Sequence, residues 1–217
     1  MKKYDIALFD LDGTLSESGE GILYCVRKIF TETGRPIPDE KTLGTFIGPP
    51  MYDSLRRCGF SHEDAESGVE IYKRNFLERG IYKNRVYDGM KETLAAIRSE
   101  GVKTAVATTK YEPFAVRIID MLGLTEYFDF VGGATAGEER RTKAGVIRYV
   151  LENLSADKSS RVVMVGDTKY DAEGAALCGV DYIGCEYGYG TREEMLEFCK
   201  NTVFVTSPSE IAGLITE

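Results

Sequence analysis

The chain has 217 residues, 43% of them hydrophobic, enough to bury one large core or a core with a smaller insertion, and disorder is excluded as the default state. Asp and Glu (35) outnumber Lys and Arg (27) for a net charge of −8, and the cations are scattered, which argues against nucleic acid as a partner. The 5 cysteines form no Cys-x-x-Cys pair, so a disulfide framework or zinc centre is not expected.

In chain order, the first apolar run is Ile6 to Phe9, and it ends in Asp10-Leu11-Asp12-Gly13-Thr14-Leu15. No convincing strand follows until residue 87, but several helical patterns do. Ile22, Val26, Ile29 and Phe30 fall at i, i+4, i+7 and i+8 and make an apolar helical face, which Gly34 and Pro36 end. Asp53–Cys58 and Glu63–Arg79 read as further helices, separated from the first by the Gly48-Pro49-Pro50 break. About seventy residues between two strands is far more than a crossover needs, so the stretch 16–87 is predicted to be an inserted α-helical domain.

From residue 88 the pattern alternates. Strands are predicted at Thr104–Ala107, Phe128–Gly132 (the weakest), Val162–Val165, Asp181–Ile183 and Val203–Val205. Helices are predicted at 90–100, 112–122, 142–154, 170–178, 191–200 and 208–215. Apolar runs without alternation fit strands covered on both faces. Residues 1–15 and 88–217 therefore read as an α/β core with a doubly wound parallel sheet. With no basic-apolar leader and no apolar run of spanning length, a cytoplasmic protein with no membrane partner is expected. Oligomeric state is not legible.

Ligands of open parallel sheets bind beyond the carboxyl ends of the strands. The polar residues there are Asp10 and Asp12 after the first run, Thr108, Thr109 and Lys110 after the second, and Gly166, Asp167 and Asp171 after the fourth; Lys143 begins the helix before that fourth strand. Asp10, Asp12 and Asp167 offer hard oxygens suited to Mg2+, and an ion between them would remove their mutual repulsion. Thr108 and Lys143 suit phosphate oxygens. A carboxylate can attack phosphorus, and a second can move the proton.

Each residue also has a structural reading. Asp10 and Asp12 could end a strand in a solvated Asp-Gly turn, Thr108-Thr109 could cap the helix entered at Pro113, Asp167 could cap the next helix, and Asp171 could be a solvated helix residue. Lys110 is either a substrate contact or an exposed lysine without a role. Gly188-Tyr189-Gly190 lacks the third glycine of a phosphate fingerprint and reads as a turn near the mouth of the site. His62, the single histidine, reads as a surface or capping residue.

Taken together, Asp10-Leu-Asp12-Gly-Thr-Leu, Val-Ala-Thr108-Thr-Lys, Lys143 and Gly166-Asp167-Thr-Lys-Tyr-Asp171 resemble the four motifs of the haloacid dehalogenase (HAD) superfamily. The likeness is to its phosphoglycolate phosphatase-like branch, with a helical cap inserted after the first motif. That resemblance implies a Rossmann-like core and a Mg2+-dependent phosphatase acting on a small phosphorylated metabolite through an aspartyl phosphate. It implies Asp10 as nucleophile and Asp12 as acid and base, the latter also touching the metal through its carbonyl. Thr108 would bind the phosphoryl group and Lys143 would steady the charge. Asp167 would ligate the metal, and Asp171 would support it directly or through a neighbour. Thr109, Lys110 and Gly48 are the candidate substrate contacts. The family usually has proline after the lysine, where this chain has Ala144-Gly145. The superfamily's sugar-phosphate mutases carry a cap histidine that Ser16–Ile37 lacks, and a receiver-type phosphoacceptor domain is shorter and has no insert.

Overall fold

Runs of small and aliphatic residues without polar alternation build a sheet covered on both faces. The computed structural model describes residues 2–135 and 140–217. Its strands are β1 (Ile6–Phe9), β2 (Ser16–Glu17), β3 (Arg85–Val86), β4 (Lys103–Tyr111), β5 (Phe130–Ala134), β6 (Val162–Gly166), β7 (Asp181–Cys185) and β8 (Val203–Val205). Six of them form one sheet in the order β5-β4-β1-β6-β7-β8, every pair parallel, while β2 and β3 pair as a separate ribbon.

The chain divides into two compact units, Met1–Ser16 with Val86–Glu217, and Glu17–Arg85. In the first, the connecting helices are α5 (Met90–Ser99), α6 (Glu112–Met121), α7 (Lys143–Asn153), α8 (Lys169–Cys178), α9 (Arg192–Leu196) and α10 (Ile211–Thr216). Alternate residues serve the two faces of the sheet. Ile6, Leu8, Ala105, Ala107, Val162 and Met164 pack with Val146, Ile147 and Val150 of α7 and with Ala172 and Ala175 of α8. Ala7, Phe9, Val106, Val163 and Val165 are buried on the other side, where Phe9 meets Phe128 edge-to-face with ring centres 6.1 Å apart.

The strands depart from expectation at their ends. β4 runs four residues past Ala107, and its pairing with β5 shifts register between Ala107 and Tyr111. β5 starts two residues later than expected because Asp129 is taken up elsewhere: its N–H donates to the Thr104 carbonyl (2.8 Å) and its carboxylate accepts from the Thr104 N–H (2.9 Å). α9 stops at Leu196, and a 3-10 turn (Pro208–Glu210) precedes α10. No helix among the described residues is long and apolar enough to cross a membrane.

The second unit contains α1 (Gly19–Glu32), α2 (Glu40–Gly44), α3 (Met51–Arg57) and α4 (His62–Glu78). Its core is Ile22, Val26, Ile29 and Phe30 of α1 with Leu43, Phe46, Leu55, Phe60 and Ala65. Phe30 sits at its centre, edge-to-face with Phe46 and Phe60 at 6.0 and 5.4 Å. Ser61 caps α4 by accepting from the Asp64 N–H, which leaves His62 exposed in the first turn, hydrogen-bonded to Tyr52. Gly48 turns the chain before α3 with φ +104°. Phe30→Ala removes the ring shared by these contacts and is expected to cost this unit about 3–5 kcal/mol, measured by urea unfolding followed by circular dichroism.

Candidate active site

The central position of β1 decides where the chemistry can lie. β1 is flanked by β4 and β6, with Phe9 level with Val106 on one side and Val165 on the other. The Asp10 N–H donates to the Val165 carbonyl (2.9 Å), so Asp10 leaves the sheet between Ala107-Thr108 and Gly166-Asp167. Gly13, at φ +88°, then turns the chain sharply, and the N–H groups of Leu15 and Ser16 both return to the Leu11 carbonyl at 3.0 Å. Asp10, Asp12, Thr108, Lys143, Asp167 and Asp171 are all buried. Neither Asp10 nor Asp12 ends in a solvated turn.

Lys143 is the positive centre. Thr142 caps α7 by accepting from the Gly145 N–H (3.2 Å), starting the helix without the proline usual after this lysine. The ammonium donates to the Ala107 carbonyl (2.9 Å) and lies 2.9 Å from Asp10 Oδ1 and 2.6 Å from Asp171 Oδ1. Burial works against that charge, but the two carboxylates outweigh it and hold the Lys143 pKa above its ordinary value. Asp10 is pushed up to about 6, chiefly by burial; Lys143 pulls it down, while Asp171 and Asp12 push it further up.

Asp171 is not a solvated helix residue. Its Oδ2 accepts from both the N–H (3.0 Å) and the hydroxyl (2.7 Å) of Thr168, the residue that caps α8. That cap leaves Asp167 outside the helix. Asp167 accepts from the Thr14 hydroxyl at Oδ1 (3.0 Å) and from the Tyr189 N–H at Oδ2 (2.8 Å). No ion pair reaches it among the described residues, and burial holds its pKa well above the ordinary carboxylate range.

Carboxylate oxygens of Asp10, Asp167 and Asp171 lie within 4.8 Å of one another. Three buried acids around one ammonium leave an excess of negative charge, and their donors are hard oxygens, so the set fits Mg2+. The Asp12 carboxylate stands apart from this cluster. Its Oδ2 is 2.7 Å from the Lys110 ammonium, which is itself only 6% exposed, and its buried Oδ1 accepts no hydrogen bond among the described residues. Lys110 is therefore not an exposed lysine without a role.

Thr108 and Thr109 do not cap α6. Both lie within β4, and the capping position belongs to Tyr111, with Pro113 in the first turn. Gly48 belongs to the Glu17–Arg85 unit. The sequence reading did not single out Thr14 or Tyr189 as partners of Asp167. The available signal was position, since both follow a strand end on the polar edge of the sheet.

A parallel sheet whose central strand delivers one aspartate to a buried lysine and a second to another lysine defines an α/β fold with two separately paired carboxylates at one strand end. The family is shown by comparison: residues 7–185 match the haloacid dehalogenase-like hydrolases, and the chain belongs to them. It is 36% identical over 198 residues to "Tyrosine-protein kinase PtkA" of Mycobacterium tuberculosis, covering 91% of this chain and 67% of that protein. The solved structure of that kinase aligns with a TM-score of 0.82 over 98% of each chain. A "5'-nucleotidase" of Pseudomonas aeruginosa is 36% identical over 89% of this chain and 87% of its own length. A "Phosphoglycolate phosphatase" of Aquifex aeolicus is 33% identical over 85% of each.

The raised Asp10 pKa gives a signed prediction for cation-free protein. The unfolded carboxyl titrates at its ordinary 3.8 and the folded one at about 6, so the folded state favours the protonated form. That contribution is complete below the unfolded value and is lost as pH rises through the folded one. In EDTA, Asp10→Asn is expected to gain stability relative to wild type between pH 5 and pH 8, by about 1–2 kcal/mol, read from denaturant unfolding at both pH values.

Proposed function

We propose that the chain is a Mg2+-dependent phosphatase that hydrolyses the phosphomonoester of a small metabolite through an aspartyl phosphate on Asp10. The observation that carries this reading is the separate holding of two neighbouring carboxylates, Asp10 by Lys143 and Asp12 by Lys110. One lies beside a cation that also suits phosphate oxygens. The other keeps a buried oxygen without a hydrogen bond, suited to exchanging a proton with a leaving group or with water.

In the first step an Asp10 oxygen bonds to phosphorus as the bond from phosphorus to the substrate's bridging oxygen breaks. The leaving oxygen takes a proton from Asp12 and departs as the alcohol. In the second step the Asp12 carboxylate takes a proton from water. That water's oxygen bonds to phosphorus, the acyl phosphate bond breaks, and Asp10 and inorganic phosphate are released. The Thr108 hydroxyl donates to a phosphoryl oxygen, and Lys143 offsets the charge of Asp10 and phosphate throughout. Mg2+, held by Asp10, Asp167 and the Asp12 carbonyl with Asp171 in support, would supply the positive charge that lets an anionic phosphate approach these acids.

Thr109, Lys110 and Gly48 are the proposed substrate contacts, and residues 16–87 the proposed cap domain. The names of the relatives suggest two substrate classes, 5'-nucleotides and phosphoglycolate. PtkA's name suggests phosphoryl transfer to a tyrosine as a second reading. Purified protein with Mg2+ is expected to hydrolyse an aryl phosphate. EDTA should abolish turnover and added Mg2+ restore it, and Asp10→Asn should lower kcat by about a thousandfold or more. Full activity of that variant would refute the mechanism. A panel of phosphomonoesters ranked by kcat/KM then assigns the substrate. Labelled ATP separates hydrolysis, which frees phosphate, from kinase activity, which leaves label on tyrosine.

A further inference from the structure

The two donors that orient Asp167 come from different loops. The Thr14 hydroxyl follows β1, and the Tyr189 N–H follows β7. One side chain ties these loops together: the Tyr187 hydroxyl donates to the Thr14 carbonyl at 3.0 Å. The Tyr187 ring is half-buried and stands edge-on to Tyr87, the residue after β3, with ring centres 4.9 Å apart.

The surrounding backbone leaves no slack. A Cβ built on Gly13 would overlap the Asp167 carboxylate, one on Gly188 would overlap the same side chain, and one on Gly190 would overlap the Asp167 carbonyl. Asp167 is fully buried inside this enclosure. Its orientation therefore depends on how the turn after β1 and the loop after β7 are set against each other.

We propose that Tyr187 is a positioning residue for the divalent cation, tying the Thr14 turn to the Gly188-Tyr189-Gly190 loop so that both Asp167 oxygens keep the orientation that holds the ion. Tyr187 acts through Thr14 and the loop it begins, not as a ligand itself. Without its hydroxyl the two donors are no longer fixed relative to each other, and the carboxylate gains freedom that binding must then remove. The inference rests on Asp167 being a cation ligand, as the phosphatase reading has it.

The test measures binding of Mn2+ to the full chain by electron paramagnetic resonance, with no substrate present. Tyr187→Phe keeps the ring and loses the hydroxyl, and is expected to raise the Mn2+ Kd about 5- to 20-fold. Circular dichroism at the titration temperature checks that each variant is folded, so a purely structural loss would lower the melting temperature in EDTA and leave Kd unchanged. Thr14→Val removes the hydroxyl that donates to Asp167 and keeps the carbonyl that Tyr187 holds; it should raise Kd about tenfold or more, while Thr14→Ser should bind nearly as wild type. The Tyr187→Phe/Thr14→Val double variant should bind little worse than Thr14→Val alone, because Tyr187 acts largely by fixing the Thr14 donor that Thr14→Val has already removed. A wild-type Kd for Tyr187→Phe, or fully additive losses in the double variant, overturns the inference while the phosphatase reading stands. A wild-type chain that binds no Mn2+ overturns both.

Discussion

Buried charge at the end of a buried strand is the constraint on which this site depends. Asp10, Asp167 and Asp171 are each fully or almost fully removed from water, and so is the Lys143 ammonium set between Asp10 and Asp171. Desolvating four ionic groups is tolerable only when each is matched by an opposite charge or by oriented donors. Lys143 therefore enters on the first turn of α7 and anchors to the Ala107 carbonyl, Asp171 is shared with the cap of α8, and Asp167 draws on two loops. The sheet order β4-β1-β6 brings these supports to one place.

The second feature is segregation. Asp10 and Asp12 are two residues apart, yet each has its own lysine, delivered by a different element: Lys143 from the start of α7 and Lys110 from the irregular end of β4. Different surroundings give chemically identical groups different electrostatic environments. The register shift in β4 is part of this arrangement, because the chain between Ala107 and Tyr111 leaves regular pairing where Lys110 turns toward Asp12.

The periodic features were the legible ones. Apolar runs marked all six strands of the main sheet, and the i, i+4, i+7 pattern of Ile22, Val26 and Ile29 marked α1, because burial on two faces or along one stripe leaves a local imprint. The five-residue α2 was invisible, being too short for a period and signalled only by Asp39 accepting from the Thr42 N–H (2.7 Å). Lys110 is ambiguous in sequence since its partner Asp12 is 98 residues away. Thr168, which caps α8 in place of Asp167, and Tyr187, which reaches back to Thr14, depend in the same way on contacts made in three dimensions. Strand and helix types were read well, whereas the sharing of polar partners at strand ends required the tertiary arrangement.

The crossing between the two compact units has an evolutionary consequence. The Tyr87 N–H donates to the Leu15 carbonyl (3.2 Å), and β2 pairs with β3 just beyond, so the chain leaves and re-enters the α/β unit at neighbouring points. To that unit, the whole stretch from Glu17 to Arg85 is a closed loop whose ends are already pinned. Closing a longer or shorter loop changes its entropy only logarithmically. The insert can be lengthened, shortened or exchanged for another while β1 and the residues after it keep their register. Diversification of the stretch Glu17–Arg85 is in this sense compatible with an unchanged set of strand-end residues in the α/β unit.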